Sequence, residues 1–237
     1  EQTAQAVYTE WFVNFRFPGH EKAKYRSERS FTTGIKMVDP VRGEGASPAS
    51  NGAGSGTDFG KIPEGWEVLH VKDIIQRVSP GKLYDNKTVS LRGKVPVLDQ
   101  GKSGIIGYHN DEPGVVASIE KPVVVFANHT CYQRLVLFPF STIQNVLPFY
   151  PSEEKYRNIF WLHFATKDLI KFNDYKGHWP EFIQKKLVVP TADVAVEFTE
   201  IIKPFVALGY QLELASKNLR QTRDLLLPKL VTGEIRV

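Results

Sequence analysis

Residues 192–230, ADVAVEFTEIIKPFVALGYQLELASKNLRQTRDLLLPKL, carry the pattern that decides the fold. Nine positions there recur at steps of three and four without a break: Phe198, Ile201, Phe205, Leu208, Leu212, Ala215, Leu219, Thr222 and Leu226. A heptad seam sustained for four repeats predicts one long helix of a coiled coil. We expect a kink near Pro204, and an end at Pro228 and Gly233. Such a seam needs a partner helix.

The first 17 residues offer a candidate for that partner. They form an apolar helix stripe that stops at Pro18-Gly19, consisting of Ala4, Val7, Trp11 and Phe15. Residues 1–12, EQTAQAVYTEWF, also align with residues 220–231, RQTRDLLLPKLV. We interpret the two segments as copies of one helical element, the second complete and the first cut short. The chain is therefore expected to be a fragment of a longer protein.

Between these helices the sequence predicts a linker at 18–60 and a globular part at 61–191, followed by the C-terminal helical region 192–237. The linker prediction rests on residues 38–60, which are rich in Gly, Ala, Ser and Pro. Short β-branched and aromatic runs at 122–127, 134–138 and 186–190 predict strands. Segments 71–78 and 151–172 predict helices, the second with Ser152 as its N-cap. The expected fold class is α+β: a globular mixed domain with a long C-terminal coiled-coil helix packed against the N-terminal helix.

Composition limits the function classes. No apolar run reaches the roughly 18–20 residues that span a bilayer, and no signal peptide is visible. The single cysteine, Cys131, excludes an intramolecular disulfide framework and suits a reducing cytoplasm. A net charge of +4 and a pI near 9.0 permit nucleic-acid binding without requiring it.

Little in the sequence supports catalysis. The Gly-Lys-Ser at 101–103 lacks the leading glycine of a phosphate-binding loop, and the six histidines show no metal-ligand spacing. Glu153-Glu154-Lys155 has the Glu-x-Lys form of some nucleases, but a solvated helix start explains it better. We expect no catalytic residue and no metal site in this chain.

Basic and polar clusters favour DNA as a ligand. One is the stretch 72–104, another is ANHTCYQR at 127–134, and a third is NDYKGHW at 173–179. Arg and Asn side chains are suited to base edges, whereas lysines more often hold phosphates. The candidate DNA-contact residues are Lys82, Lys87, Arg92, Lys94, Lys102, Ser103, Asn128, His129, Arg134, Lys176 and His178.

Four segments carry a family resemblance. QTRDLLLPKLVTGEIRV at 221–237 resembles the C-terminal signature of the specificity subunit of type I restriction-modification enzymes, and residues 4–21 resemble the end of its central conserved helix. GKIPEGWEV at 60–68 is similar to the start of a target recognition domain in these subunits. GHWPEFIQKKLVVP at 177–190 is similar to its end, with Thr191 in place of the usual second proline.

The resemblance implies a half subunit: the end of the central helix (1–17), one target recognition domain (61–191) and the C-terminal conserved helix. Such a subunit recognises double-stranded DNA and is not an enzyme. It needs no cofactor itself. The methylation subunits bring S-adenosylmethionine, and the restriction subunits bring ATP and magnesium. The truncated helix pair also allows a homodimer through exposed seams.

The helices would then pack on each other and dock methylation subunits. The residues expected to do this are Trp11, Phe205, Leu212, Leu219 and Leu226 for packing, and Arg220, Arg223 and Asp224 facing a partner. Two alternatives stay open at this point. One is an assembly module whose domain does not bind DNA; the other is a nuclease centred on Glu153 and Lys155.

Overall fold

The structure, a computed structural model, describes residues 2–27, 60–101, 104–153, 158–172 and 177–235. Within these ranges the helices are α1 (Gln2–Tyr8), α2 (Val71–Ile74), α3 (Ile159–Thr166), α4 (Trp179–Gln184) and α5 (Ala192–Val231). The strands are β1 (Tyr25–Ser27), β2 (Lys61–Pro63), β3 (Glu67–His70), β4 (Ile75–Arg77), β5 (Leu83–Tyr84), β6 (Val95–Leu98), β7 (Ile105–His109), β8 (Val123–Ala127), β9 (Gln133–Val136), β10 (Ser141–Ile143), β11 (Val146–Pro151) and β12 (Lys186–Val189). The α+β prediction is confirmed, and so are the strands β8, β9 and β12.

Two four-stranded sheets form the body of the domain. One has the order β4-β11-β8-β9 and is antiparallel throughout. The other has the order β5-β10-β6-β7, in which β10 runs parallel to both of its neighbours and β6 pairs antiparallel with β7. A small apolar core that includes Leu98, Val125 and Phe140 joins them. Two-stranded sheets, β1-β2 and β12-β3, complete the pairing.

The larger core is an aromatic cluster that binds both chain-terminal helices to the domain. Phe198 of α5 lies at its centre and is fully buried. Its ring centroid is 5.0 Å from that of Phe12, 5.9 Å from that of Trp11 and 6.1 Å from that of Phe164 in α3. Aromatic pairs at these distances add to the stability gained from burial alone. The predicted packing of the N-terminal helix against the long helix is therefore present at the base of α5.

The N-terminal helix differs from the predicted stripe. It changes after Tyr8 into a π-helical turn, Thr9–Val13, in which Trp11 and Phe12 are both buried. The extra residue per turn rotates the side chains that follow, so consecutive positions reach the core. Phe15, which we expected on the helix stripe, lies beyond the helix with a positive φ of 54°.

The two helices predicted inside the domain are shorter than expected. Of segment 71–78, only Val71–Ile74 is helical, because Ile75 is extended and begins β4, which pairs with β11. The prediction of a helix from residue 151 is wrong, because Pro151 still belongs to β11. The Ser152 N–H donates to the Ile74 carbonyl, and residues 154–157, which the predicted cap would serve, lie outside the described residues.

Asn158 caps α3 instead. Its Oδ1 accepts the backbone N–H of Trp161 at 2.9 Å. All eight residues of α3 are buried, so the helix has no polar face from which its bounds could have been read. The Asn158 amide also donates to the Ala195 carbonyl of α5, which joins this cap to the base of the long helix.

The long helix α5 is 40 residues, or about 60 Å, in one continuous element. It includes Pro228, which we expected to end it, and Gly233 follows with a positive φ of 72°. Only its first three turns enter the core, through Val194, Ala195, Phe198 and Ile202. Every described residue from 211 onward is exposed, so the heptad seam has no partner helix among the described residues. No described helix has the length and apolarity needed to cross a membrane.

Replacing Phe198 with alanine tests the aromatic cluster. We expect Phe198→Ala to lower the free energy of unfolding by about 3–5 kcal/mol, because it empties a fully buried site between three elements. Urea denaturation followed by circular dichroism measures this. The matched control is Phe205→Ala on the same helix, whose side chain is 53% exposed and whose loss is expected to cost less than about 0.5 kcal/mol. Equal losses in the two variants would contradict the assignment.

Candidate nucleic-acid interface

The predicted DNA-contact residues fall into two groups at opposite ends of the β6–β7 hairpin. The first lies on residues 82–94, a segment that pairs with the outer end of β7 through Ser90 and Tyr108. The second lies around the connection between β6 and β7, of which residues 102 and 103 lie outside the described residues. Because β7 is five residues long, the two groups are separated by about 16 Å at the usual rise per strand residue.

The first group holds three unpaired cations. Lys87, Arg92 and Lys94 are exposed, and their side chains form no ion pair with another residue in the described ranges. Lys82 is different, because its Nζ lies 2.7 Å from Asp111 Oδ2 and 4.9 Å from the ring centroid of Tyr84. The free cations of this group are thus clustered between β5 and β6.

The second group is mostly engaged in internal contacts. Asn128 Oδ1 accepts the Trp179 N–H at 2.8 Å, and the Asn128 carbonyl accepts the His178 N–H at 2.9 Å. These bonds fix the start of α4 and leave His178 buried. His129 is exposed, and its backbone N–H donates to Gln100 Oε1 at 2.9 Å. Of these three candidates, His129 presents its side chain to solvent.

Arg134 also serves the fold. Its Nη2 donates to the Gly104 carbonyl at 2.8 Å, so the guanidinium holds the β7 end of the β6–β7 connection. Burial lowers the pKa of Arg134, although an arginine stays charged at any physiological pH. Three further candidates, Lys102, Ser103 and Lys176, lie outside the described residues.

Behind the first group, the buried side chains of Ser141 and His109 lie next to the exposed Asp111. His109 Nε2 is 2.9 Å from Ser141 Oγ, and the Asp111 backbone N–H donates to His109 Nδ1 at 3.1 Å. Because Nδ1 accepts a proton donor, the neutral ring carries its hydrogen on Nε2 and donates to Ser141. Gly114 N–H also donates to the same Ser141 oxygen. His109 therefore cannot take the serine proton, and the trio is a structural network, not a nucleophilic triad.

Tyr84 closes this network on the solvent side. Its ring stacks on His109 with a centroid distance of 4.1 Å, and its hydroxyl donates to Asp111 Oδ2 at 2.9 Å. Hydrogen bonds from Lys82 and Tyr84 hold the pKa of Asp111 below its usual value. The sequence did not reveal this network, because its members lie on β5, on or just after β7, and on β10, and they meet only when the sheet forms.

The long helix braces the domain beyond the aromatic cluster. Tyr210 of α5 stacks on Phe138 at 6.1 Å between centroids. Two turns further on, Lys217 Nζ donates to Tyr108 Oη at 3.1 Å and lies 5.5 Å from the centre of that ring. The β7 strand and the first group of cations are therefore held at a fixed position along α5.

The residues predicted for helix packing separate into two sets. Trp11 is buried in the aromatic cluster. The others are exposed along α5, beyond the turns that enter the core: Phe205, Leu212, Leu219, Arg220, Arg223, Asp224 and Leu226. Arg223 and Asp224 form an ion pair with an Nη2–Oδ1 distance of 2.7 Å. The apolar members of this set form an uncovered stripe.

Of the two residues of the nuclease alternative, Glu153 alone lies within the described residues. Glu153 is exposed just after β11, and Glu154 and Lys155 lie outside the described residues. The described part of the chain contains no group of three or more His, Cys, Asp or Glu residues that could hold a metal ion.

Comparison with curated proteins finds a relative with a defined role. The chain is 27% identical over 177 residues to the specificity subunit of the type I restriction enzymes EcoR124I and EcoR124II of Escherichia coli. The chain is a homologue of a type I restriction specificity subunit. This confirms the resemblance predicted from the sequence. The match covers 68% of this chain and 43% of the relative, so the homologue described here spans less than half of that subunit.

Solved structures of the same kind of subunit are also similar to this chain. One is the type I restriction-modification S subunit from M. genitalium, with 18% identity, a TM-score of 0.47, and coverage of 70% of this chain and 45% of that one. Another is the HsdS subunit from Thermoanaerobacter tengcongensis, with 14% identity, a TM-score of 0.40, and coverage of 73% and 46%. No protein-family model matches the chain.

The His109 network predicts a pH-dependent stability. Burial lowers the pKa of His109 in the folded chain below its ordinary value of 6.5. The unfolded chain therefore binds the proton more readily, and the free energy of unfolding should fall as the pH drops below about 6.5. This interval lies above the ordinary titration range of Asp and Glu, near pH 4.

Urea denaturation at pH 7.5, 6.0 and 5.0 measures this decline. The control is His109→Gln, which removes the titrating group and should flatten the decline between pH 6.5 and 5 whatever its effect at pH 7.5. An unchanged decline in that variant would show that another group is responsible.

Proposed function

We propose that this chain is a DNA-sequence-recognition module of a type I restriction-modification complex. The homology to a specificity subunit over 177 residues is the observation that carries the proposal. In this proposal the domain of residues 61–191 reads one part of a split DNA sequence. Partner methylation subunits then methylate adenine, and restriction subunits cut the DNA. The chain itself is not an enzyme and holds no cofactor.

The first group of cations supports the DNA part of the proposal. Lys87, Arg92 and Lys94 project from a segment whose backbone is tied to β7, so they are presented without neutralising partners among the described residues. Cations in this setting bind phosphates and release counterions. Among the second group, His129 remains a candidate for contact with DNA, whereas Asn128, Arg134 and His178 would act by holding the β6–β7 connection and the start of α4.

The uncovered stripe on α5 supports the partner proposal. Leu212, Leu219 and Leu226 are 61%, 70% and 42% exposed, and they follow one another at heptad spacing. A helix with such a stripe gains stability when another helix covers it. We propose that methylation subunits, a longer central helix or a second copy of this chain cover it. S-adenosylmethionine, ATP and magnesium then belong to the partner subunits, and the assembly acts in the cytoplasm.

A second candidate function rests on the same stripe. A chain whose only role is to assemble partner subunits would need α5 and its base but no free cations on the domain. The two functions differ in whether the domain contributes to a salt-dependent affinity for DNA.

Binding to duplex DNA over a range of salt concentrations separates the two functions. For the complex with its methylation subunit, we expect the logarithm of the affinity to fall linearly with the logarithm of the salt concentration. Lys87→Ala and Arg92→Ala should each weaken binding and reduce that slope by roughly 1 if the residue holds one phosphate. Lys22→Ala is the control, since Lys22 is exposed outside the proposed domain and should leave the slope unchanged. If Lys87→Ala and Arg92→Ala give the same slope as Lys22→Ala, the result would favour the assembly module.

A charge placed on the uncovered stripe tests the partner surface. We expect Leu219→Lys to leave the thermal unfolding midpoint within about 2 °C, because Leu219 is 70% exposed. It should nevertheless abolish the complex with the methylation subunit or the homodimer, measured by size-exclusion chromatography with light scattering. Val196→Lys is the matched control on the same helix: Val196 is 55% exposed but lies off the heptad seam, so assembly should persist. Unchanged assembly in both variants would exclude the stripe as the partner surface.

A further inference from the structure

Among the described residues of the domain, the most exposed large apolar side chain stands among the free cations. Leu91 is 94% exposed and occupies the tip of the Ser90-Leu91-Arg92-Gly93 turn between β5 and β6. Single exposed apolar side chains are common on protein surfaces and need no explanation by themselves. The backbone around Leu91 is what distinguishes it.

The turn is tied to β7 on both sides of the tip. Ser90 and Tyr108 exchange two backbone hydrogen bonds of 2.8 Å, and Lys94 N–H donates to the His109 carbonyl at 3.1 Å. Gly93 lies so close to β7 that a Cβ at this position would come within 2.8 Å of the His109 carbonyl oxygen. The Leu91–Arg92 tip is therefore a short projection on a fixed base, not the middle of a long free loop.

The base itself is supported from behind. The Tyr108 hydroxyl accepts a hydrogen bond from Lys217 of α5, and His109 is held by the buried contacts with Ser141 and Tyr84. The tip is thereby connected both to the sheet and to the long helix. A side chain on such a base loses little further backbone freedom when it binds a ligand.

The charges around the tip are complementary to a polyanion. Arg92 is adjacent to Leu91, and Lys87 and Lys94 lie on the same short segment. Two acidic residues of this region are already engaged: Asp85 accepts the backbone N–H groups of Lys87 and Thr88, and Asp111 pairs with Lys82. An apolar group surrounded by free cations matches DNA, which presents phosphates at the rim of a groove and thymine methyl groups inside it.

We propose that the Leu91–Arg92 tip enters the major groove and that Leu91 contacts the 5-methyl group of a thymine, which makes Leu91 a specificity-determining residue. This inference rests on the proposed function and names one of its contacts. The major groove, about 12 Å wide, admits a turn that carries a leucine and an arginine, whereas the minor groove is only about 6 Å wide. Arg92 and the two lysines then meet phosphates or base edges beside that thymine.

Replacing thymine with uracil tests this contact, because uracil lacks only the methyl group. The complex of the chain with its methylation subunit is first used to select a motif from a randomised duplex library. Each thymine of that motif is then replaced by uracil in turn. For the unmodified chain, we expect one position at which uracil weakens binding about fourfold, the loss that corresponds to one buried methyl group.

At that position Leu91→Ala should bind the thymine and uracil duplexes equally well. Val196→Ala is the control: it shortens an exposed aliphatic side chain on α5 and should keep the fourfold preference. Thermal unfolding of both variants should match that of the unmodified chain, because both side chains are largely exposed.

The outcomes distinguish this inference from the proposed function. If the unmodified complex selects no motif, the proposed function fails and this inference fails with it. If a motif is selected but every uracil substitution affects Leu91→Ala as it affects the unmodified chain, the thymine contact is wrong and DNA recognition stands. If Leu91→Ala loses the methylation subunit instead of the thymine preference, the tip binds protein, and the inference is overturned.

Discussion

The positions of both chain-terminal helices relative to the domain depend on the packing around Phe198. This ring receives Phe12 and Trp11 from the N-terminal segment and Phe164 from α3, so one buried site joins both ends of the chain to the domain between them. The Asn158 amide strengthens the same junction, because it caps α3 and also binds the Ala195 carbonyl at the base of α5. Without this cluster the long helix would have no fixed direction relative to the sheets. The distance between the domain and a partner bound to the far end of α5 would then not be fixed either.

Further along α5, two contacts convert that fixed direction into a fixed orientation. Tyr210 lies against Phe138, and Lys217 binds Tyr108 on β7. The segment that contains Arg92 is hydrogen-bonded to β7. The long helix and the free cations are therefore connected by a continuous series of contacts. The buried His109 network contributes to this path from the other side of the strand. The proposed roles of the two parts, contact with DNA and assembly with partners, are thus mechanically connected through a small number of side chains.

The sequence predicted what depends on local repetition and missed what depends on strand pairing. The heptad pattern of 192–230 was sufficient to predict α5, and the β-branched runs were sufficient for β8, β9 and β12. The bounds of α3 were predicted wrongly, because a helix buried on all sides has no apolar stripe to mark it. Its cap, Asn158, lies six residues after Ser152, which we had predicted to be the cap. Among the candidate DNA-contact residues, the sequence could not separate Lys87 and Arg92, which form no ion pair with a described residue, from Asn128 and Arg134, whose polar groups bind α4 and the β6–β7 connection. Composition identifies polar residues, whereas only the fold shows which of them are already occupied.

Because α5 is buried only at its first turns, its two ends differ in local stability. Its first three turns are fixed by the core, while the residues from 211 onward are held mainly by their own helical hydrogen bonds. A helix without tertiary packing opens frequently at its free end. Amide protons near Leu219 and Leu226 should therefore exchange quickly with solvent in the free chain and slowly once another helix covers the stripe. The rate of amide exchange in the part of α5 from residue 211 onward therefore distinguishes the free chain from the assembled one.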